Sequence, residues 1–446
     1  MRENRLDLTN GSIWRGMARL SLPLALSNVL QVLFNMADVA VVGRFAGAAA
    51  LGSVGCTTTA TWLFLSFALG MGSGINTQTA RCIGSGDETA ARSTVHTALL
   101  LSIIVQAVVL LLGQASVVWL LTVLQTKDEL FDGAKLYLRI YLLAMPAFGI
   151  YNFGNGVFSA AGDSKKPLYI LIISGVMNLV LNLFFVIVLH MDVAGVAAAT
   201  VISMYTAAVL IIILLLRRHD SIALRPRELK ITRSCARPLL AIGLTTGCQH
   251  AVFSVANLFT QYGVNTFDAV TVEGNAAAAN ADSLVYDVMA AIYTGGASFI
   301  GQNYGAGKMD RVKKSYYICL FYSFGVAWVM GVLLVIFGRT FLGLFTAEEA
   351  VIRTGMTRLT VMGLCYCTSA FMDGTISAAR GLGCSVVPTI IVILGSCVFR
   401  VVWIFTVFRW IGTIESLYML YVFSWMITAA AEIIYFARVY HRAGGE

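Results

Sequence analysis

Long apolar stretches recur along the whole chain, and short segments rich in polar and charged residues separate them. A helix needs about 20 predominantly apolar residues to cross the hydrocarbon core of a bilayer. We therefore predict twelve transmembrane helices, with approximate cores at 17–42, 54–79, 94–121, 137–158, 167–189, 194–216, 239–264, 276–299, 315–337, 357–378, 385–408 and 417–437.

The basic residues are distributed unevenly between the two sides of these helices. The side of the two chain ends carries 22 Lys and Arg residues, including Arg2, Arg5 and Arg380, whereas the opposite connections carry eight, including Arg358. Cytoplasmic connections hold the excess of positive charge in membrane proteins. We therefore expect a multi-pass protein of the plasma (inner) membrane with both termini cytoplasmic. An eleven-helix count would put the termini on opposite sides and remove this asymmetry.

Composition supports a membrane protein and excludes several other classes. Hydrophobic residues make up 58% of the 446 residues and charged residues only 12%, so most of the surface does not face water. This rules out a disordered chain, a nucleic-acid-binding protein and an ordinary cytosolic enzyme. The nine cysteines show no metal-binding or redox spacing, and we interpret them as small membrane-embedded hydrophobic residues.

The chain contains an internal repeat. Three features of the first half return in the second at a nearly constant spacing: 84–87 (GSGD) as 305–308 (GAGK), 162–167 (GDSKKP) as 383–388 (GCSVVP), and Asn35 as Asn257. Each half holds six predicted helices, an even number, so the halves have parallel topology and are related by an axis along the membrane normal. The predicted fold is all-α, with twelve transmembrane helices in two pseudo-symmetric six-helix lobes, an N-lobe at 1–225 with helices 1–6 and a cation site and a C-lobe at 226–446 with helices 7–12.

Polar residues form a stripe on the first predicted helix. Asn28, Gln31, Asn35 and Asp38 are spaced at 0, 3, 7 and 10, which puts them on one face at about 3.6 residues per turn. A carboxylate in the hydrocarbon region is costly unless it is paired or faces water. The stripe is therefore expected to face a cavity or polar partners on other helices.

Other helices supply candidate partners for Asp38. Asn178 and Asn182 lie one turn apart on the fifth predicted helix, Thr200 lies on the sixth, and Asn155 lies on the fourth. If these helices surround one cavity, one carboxylate and several neutral oxygens form a cage that suits a sodium ion. The same cage suits a carboxyl group that takes up and releases a proton. The alternative interpretation is that the amides only link helices by hydrogen bonds.

The second half lacks the amides of the first. The residues that correspond to Asn178 and Asn182 in the internal repeat are Phe399 and Trp403, so the C-lobe is predicted to present an apolar wall there. The two lobes are therefore not expected to be equivalent in function.

Three of the carboxylates within the predicted helices of the second half are candidates for a functional role. Asp373 is the strongest candidate for a second functional acid, and Asp282 and Asp287 point in different directions from their helix. Arg400 is the one basic residue that we place inside a helix, and it is predicted to pair with Asp373 or Asp282.

No enzyme motif stands out. The chain has no HExxH zinc motif, no GxSxG nucleophile motif and no phosphate-binding P-loop, so we expect a protein that is not an enzyme, needs no cofactor and does not couple directly to ATP. The glycines at 70, 72 and 74 lie inside a predicted helix, where small residues allow close helix packing.

Three motifs resemble one known family. They are Leu22-Pro23 through Asn35, Asp38 and Val42-Gly43-Arg44 on the first helix, Ala160-Ala161-Gly162-Asp163 with Pro167, and Gly301-Gln302-Asn303-Tyr304-Gly305-Ala306-Gly307. In this order, over nearly the whole chain, they resemble the multidrug and toxic compound extrusion (MATE) transporters. The resemblance implies an antiporter that expels amphiphilic, often cationic, compounds by alternating access and is driven by sodium ions or protons.

The resemblance also implies roles for individual residues. In the family, an acid on helix 1, two polar residues on helix 5 and a threonine on helix 6 bind the coupling ion, and a helix-4 residue joins this network. The matching residues here are Asp38, Asn178, Asn182, Thr200 and Asn155. Gln31 resembles a substrate-facing position, and Asp373 matches the C-lobe acid of one subgroup. The candidates for substrate contact or gating are Gln31, Asn35, Asn257 and Asp373. One subgroup has a glutamate on helix 7 where this chain has Phe253, which argues against a cation site in the C-lobe.

Three rival functions follow from the sequence. The first is a lipid-linked oligosaccharide flippase of the same superfamily, which usually carries several cationic residues in its cavity. Only Arg400 is placed inside a helix here, which disfavours this alternative. The second is a membrane-embedded enzyme, which would need a cluster of His, Asp or Glu near one membrane face, and five scattered His residues do not supply it. A channel is the third, and the repeat with its single cage fits alternating access better. The expected partners are small amphiphilic substrates and membrane lipid, without nucleic acid, and the expected state is a monomer.

Overall fold

Helices form the whole regular architecture of the chain. The computed structural model describes residues 6–444, and Arg2 and Arg5 of the charge count lie outside this range. Within it there is no strand. The helices are α1 (Ile13–Ala46), α2 (Ala48–Gly84), α3 (Glu88–Val123), α4 (Asp128–Leu142 and Met145–Ala160), α5 (Lys165–Val188), α6 (Asp192–Leu216), α7 (Arg233–Val264), α8 (Ala269–Gly305), α9 (Met309–Leu342), α10 (Glu349–Gly381), α11 (Val386–Ile411) and α12 (Ile414–Arg442).

These helices agree in number and order with the prediction from hydropathy. Ten of those in the described range are long and apolar enough to span a membrane on length and composition alone. The two others are α4, which consists of two segments, and α10, which carries charged residues along its length. A break and internal charges are both costly in lipid, so these two helices are expected to face protein or water.

Three helices depart from regular α geometry, two of them at corresponding positions of the repeat. A π turn ends α1 (Val42–Ala46), another ends α5 (Phe184–Val188), and two lie in α11 (Ile393–Val398 and Ile404–Phe408). When α5 is aligned with α11 through the internal repeat, its π turn coincides with the second turn of α11 to within one residue. Single π turns inside helices are frequent at functional sites, and both α1 and α5 carry candidate site residues within two turns of theirs.

The chain forms two compact units. The first consists mainly of Leu26–Ala251, and the second of Asp7–Ala25 with 252–444. The predicted lobes, 1–225 and 226–446, follow the sequence repeat, and the compact units depart from them at 7–25 and 226–251. The reason is that the first half of α1 packs within the second unit and the first half of α7 within the first. The division of the chain into an N-lobe with the cation site (1–225) and a C-lobe (226–446) stays a prediction.

Small residues allow one close helix contact to occur twice. A Cβ added to Gly74 of α2 would lie 2.8 Å from the backbone N of Gly243 in α7, and one added to Gly295 of α8 would lie 2.5 Å from Oγ of Ser21 in α1. In the internal repeat, Gly295 corresponds to Gly74, and Gly243 corresponds to Ser21 at the spacing that also relates Asn35 to Asn257. The repeat is therefore visible in a single helix–helix contact within each unit.

We expect Gly70→Ala to lower the thermal stability of the protein. The added Cβ would lie 2.4 Å from the backbone N of Gly247 and 2.5 Å from the carbonyl O of Gly243, so α2 and α7 must separate. Overpacking of this kind costs about 1–3 kcal/mol. The matched control is Gly55→Ala in the same helix, where nothing lies within 4 Å and helix propensity favours alanine by about 0.5–1 kcal/mol. Melting of the purified protein checks both changes, and equal melting temperatures would contradict this packing role.

The connection from α6 to α7 is held on the first unit by side chains. The Arg218 guanidinium is 2.7 Å from a carboxylate oxygen of Asp220 and 3.3 Å from one of Asp163. The backbone N–H of Arg225 donates to Nε2 of His96 on α3 at 2.9 Å. Asp163 belongs to one of the family motifs, and its charge thus has a structural partner.

Candidate functional site

Asp38 of α1 lies against two asparagines of α5. The Nδ2 group of Asn182, which is fully buried, donates to Oδ1 of Asp38 at 2.5 Å. Within residues 6–444 no Lys, Arg or His nitrogen lies within 4 Å of the Asp38 carboxylate. This acid is therefore held by neutral groups, although a buried carboxylate is most stable beside a positive charge.

The amide of Asn178 has two orientations with different consequences for Asp38. In one, its NH2 group donates to the Asp38 oxygens at 2.7 and 3.2 Å. In the other, its oxygen occupies that place and accepts from Nδ2 of Asn182 at 3.3 Å. The first orientation suits a bare carboxylate, because two unprotonated oxygens repel each other. The second suits a carboxylate that shares a proton or a metal ion with the amide oxygen.

Thr200 of α6 completes the cluster. Its hydroxyl donates to the carbonyl O of Val196 at 3.1 Å, and its Oγ1 lies 3.5 Å from Nδ2 of Asn178. Carboxylate, amide and hydroxyl oxygens are the ligands that hard cations prefer. No group of three or more His, Cys, Asp and Glu side chains in residues 6–444 could hold a metal ion, so a transition-metal centre is not indicated there.

Two tyrosines near Asp38 were not singled out from the sequence. Tyr137 and Tyr141 of α4 are buried, stack with ring centroids 5.8 Å apart, and lie close enough for the charge of Asp38 to act on both hydroxyls. Their spacing of one helical turn was the signal available in the sequence. The partners predicted for Asp38 were amide and hydroxyl groups of Asn and Thr, and the phenol groups of tyrosines were not considered.

The other predicted residues of the first unit lie apart from this hydrogen-bonded cluster. Asn155 is half-buried on α4, and no hydrogen bond joins it to Asp38, Asn178, Asn182 or Thr200 within residues 6–444. Gln31 and Asn35 are exposed on α1, and their side chains make no hydrogen bond within residues 6–444. The stripe predicted on α1 is thus divided between an exposed part and the bonded Asp38.

In the second unit, Asp282 of α8 has a buried partner that was not predicted. Arg358 of α10 forms an ion pair with it and donates to Oδ1 of Asn275 at 2.5 Å, while the Tyr366 hydroxyl donates to the same carboxylate. Arg358 was predicted in a connection but lies within α10, so that prediction was wrong, and so was Arg400 as a partner of Asp282. The predicted helix core began at 357, one residue before Arg358, so the residue was read as part of the connection.

Arg400 of α11 contacts neutral groups. It is 3% exposed, its Nη1 donates to Oδ1 of the exposed Asn257 at 3.2 Å, and its guanidinium carbon lies over the rings of Tyr421 at 4.5 Å and Phe253 at 5.2 Å. No carboxylate lies within 4 Å of it in the described chain. A permanent positive charge thus stands beside Phe253.

Asp373 of α10 lies near two arginines without an ion pair to either. The charges of Arg380 and Arg400 act on its carboxylate, and no basic nitrogen lies within 4 Å in residues 6–444. Arg380 is itself buried at 8% exposure. The expectation that Arg400 is the one basic residue inside the helices was therefore wrong, because Arg358 and Arg380 are also buried within α10.

One further acid was missed. Glu432 of α12 is fully buried, and both its carboxylate oxygens lack a hydrogen-bond partner in the described chain. Its neighbours along α12 are apolar, so a lone acid within a predicted span was the signal. The positive charge of Arg380 on α10 acts on the Glu432 carboxylate.

Comparisons with known proteins agree on one family. The MatE family model matches residues 23–184 and 247–406, more than half of the chain. YoeA of Bacillus subtilis, named a probable multidrug resistance protein, is 26% identical over 352 residues, which are 76% of this chain and 74% of that protein. A Shewanella oneidensis protein named FAD transporter is 24% identical over 354 residues, 78% of each chain. The solved structure of an outward-facing multidrug resistance MATE family transporter of the MOP superfamily has a TM-score of 0.92 at 21% identity and matches over 98% of both chains.

The structural match confirms the predicted fold class, an all-α membrane protein with twelve transmembrane helices in two lobes. Proteins of the matched family are transporters and not enzymes, they move small molecules, and they need no cofactor. We conclude that the chain belongs to the MatE family, the multidrug and toxic compound extrusion (MATE) transporters.

Proposed function

We propose that this transporter is a cation-coupled antiporter that exports amphiphilic, often cationic, compounds by alternating access. One observation carries the proposal: Asp38 is bonded to Asn182, reaches Asn178 in either amide orientation and has no basic partner in residues 6–444. An ionisable residue within a membrane is by default a functional group, because its burial is costly. A cation or a proton supplies the missing positive charge.

The proposed cycle couples the ion to the shape of α1. Uptake of Na⁺ or H⁺ neutralises Asp38, and the Asn178 amide turns its oxygen towards the bound charge. Asp38 stands four residues before the π turn at Val42–Ala46, so a change in its bonds acts on the irregular end of the helix. This change disfavours the drug-bound outward state and promotes release. Ion and drug then oppose each other through their different affinities for the same two states.

Other residues keep the proposed roles that the resemblance implies. Asn155 would extend the cage around the ion. Gln31 and Asn35, exposed on α1, would contact the substrate, and Asn257 and Asp373 of the second unit would contact it or take part in gating. We further propose a monomer in the plasma (inner) membrane, surrounded by lipid, with both termini in the cytoplasm.

The experiment that tests this proposal is ethidium efflux driven by one gradient at a time. Whole cells or inside-out vesicles receive either a sodium gradient or a proton gradient, and efflux by the wild-type protein is compared. Efflux that follows either gradient supports coupling and names the ion. Absence of efflux under both gradients would contradict cation-coupled drug export.

The change Thr200→Val separates the two coupling ions. It keeps the shape of the side chain and removes one oxygen from the cluster. That oxygen is Oγ1 of Thr200, which lies 3.5 Å from Nδ2 of Asn178. A sodium site loses a ligand, so the half-saturating sodium concentration is expected to rise about tenfold. A proton site needs only Asp38, so the pH dependence of efflux stays the same. Thr206→Val on the exposed face of the same helix is the control, since its hydroxyl bonds only its own helix.

A second candidate function is the flipping of a lipid-linked oligosaccharide. The sequence disfavoured it because only Arg400 was assigned to a helix interior, whereas Arg358 and Arg380 are also buried in the second unit. Buried arginines suit a pyrophosphate group. Translocation of a pyrophosphate-linked lipid in vesicles, together with no ethidium efflux under either gradient, would favour this function over drug export.

A further inference from the structure

Arg400 of the second unit is a buried cation with no counter-charge in contact among residues 6–444. We define the arginine–aromatic site as Arg400 with Asn257, Phe253 and Tyr421. Arg400 is 3% exposed, yet its direct contacts are one amide oxygen and two aromatic rings. By contrast, the neighbouring Arg358 is paired with Asp282.

Most of the hydrogen-bonding capacity of Arg400 is unused. A guanidinium has five N–H donors, and one of them, on Nη1, has an acceptor in the described residues. Its Nε is fully buried and has no partner there. An unmet buried donor on a charged group is costly, and an unpaired buried charge more so. Such an arrangement is retained where a ligand supplies the missing acceptors.

The surroundings define the chemistry of that ligand. A guanidinium offers parallel donors that match the two oxygens of a carboxylate, phosphate or sulfonate. The rings of Phe253 and Tyr421 stand beside the charge and suit a flat apolar body. Asn257 is exposed, so the site opens at this residue.

We propose that the arginine–aromatic site binds the anionic group of an amphiphilic aromatic substrate. The proposal rests on the export function proposed above and names a substrate class for it. Asp373 is the opposing charge: it lies within electrostatic range of Arg400 but not within 4 Å. The negative charge of Asp373 therefore weakens the binding of an anion at Arg400 but does not abolish it.

Two xanthene dyes of opposite charge provide the test. Carboxyfluorescein is an anion and rhodamine 123 a cation on the same three-ring body. Binding is measured by fluorescence anisotropy to full-length protein in phosphatidylcholine nanodiscs, with no gradient present. We expect the wild type to bind carboxyfluorescein, Arg400→Gln to raise its Kd about tenfold or more, and Arg400→Lys to raise it less because the charge remains.

Two further variants keep the test valid if Arg400→Gln fails to fold. Asn257→Asp places a carboxylate of the same shape against Arg400, so it is expected to raise the melting temperature and still weaken carboxyfluorescein binding. Asp373→Asn removes the opposing charge and is expected to strengthen it. Arg339→Gln is the control and is expected to leave binding unchanged. It breaks the exposed ion pair between Arg339 and Glu349, whose atoms are 2.5 Å apart.

Several outcomes would overturn the proposal. One is that the wild type does not bind carboxyfluorescein. Another is that Arg400→Gln and Asn257→Asp each bind it with the Kd of the wild type. Displacement of the dye by phosphatidylglycerol in the nanodisc, dependent on Arg400, would assign the site to a lipid headgroup instead of a transported compound. The binding measurements use no ion gradient, so a negative result would not contradict gradient-driven export. Loss of efflux in an Asp38 variant would likewise not contradict anion binding at Arg400.

Discussion

Replacing Asp38 by Asn is expected to lower gradient-driven ethidium efflux about tenfold or more. The amide oxygen can still accept from Nδ2 of Asn182, the 2.5 Å contact of the wild type, so the local packing survives. What disappears is the only group in the cluster that can carry a negative charge. Without it neither a proton nor a sodium ion is held, and the free energy that links ion and drug binding is lost.

The control for this change is Glu273→Gln, which removes an exposed carboxylate from α8. It leaves efflux intact. Equal amounts of protein in the membrane and equal melting temperatures show that Asp38→Asn folds. Full efflux by that folded variant, under the gradient that drives the wild type, would refute the role of Asp38 in coupling.

The second large effect is on stability, and it concerns the ion pair of the second unit. Arg358→Leu leaves Asp282, whose side chain is 22% exposed, without its positive partner, and within residues 6–444 the Tyr366 hydroxyl is the donor that remains. Breaking a buried pair from one side costs about 3–5 kcal/mol. In a chain of this length that corresponds to a melting temperature lower by about 3–5 °C. Thermal unfolding in detergent, followed by tryptophan fluorescence, measures it.

The double change Arg358→Leu with Asp282→Leu distinguishes a charge effect from lost packing. Replacement of a whole buried pair by apolar side chains is often neutral or stabilising. We therefore expect the double variant to be more stable than Arg358→Leu alone. A double variant that is no more stable than the single one would show that the loss does not come from the unpaired carboxylate, and would assign it to the aromatic contacts of Arg358 with Tyr418 and Tyr421, at 5.3 and 5.6 Å.

Hydropathy alone was sufficient to find the helices, since each must be long enough to cross the bilayer. It failed at the ends of helices that carry functional charge. Arg358 stands one residue inside the predicted core of α10, and a helix with several internal charges looks shorter than it is. The break in α4 and the π turns have no hydropathy signature, because they change the backbone without changing side-chain polarity.

The candidate cation site was predictable in part. Helical spacing placed Asn178 and Asn182 on one face, and the cost of burying Asp38 required partners for it. Spacing cannot tell which helix lies opposite, so Asn155 was grouped with residues to which it makes no hydrogen bond in the described chain. It also carries no information on how the Asn178 amide is turned, which depends on the charge state of its neighbour.

The exchange of helix halves between the two compact units bears on how this chain arose. A protein that ended at residue 225 would lack the segment whose Gly243 lies against Gly74. Two copies of one such half could restore that contact by swapping the beginnings of their first helices, as domain-swapped dimers do. Gene duplication and fusion would then turn an association between molecules into a covalent one, independent of protein concentration. The two halves would afterwards be free to diverge in their buried polar residues.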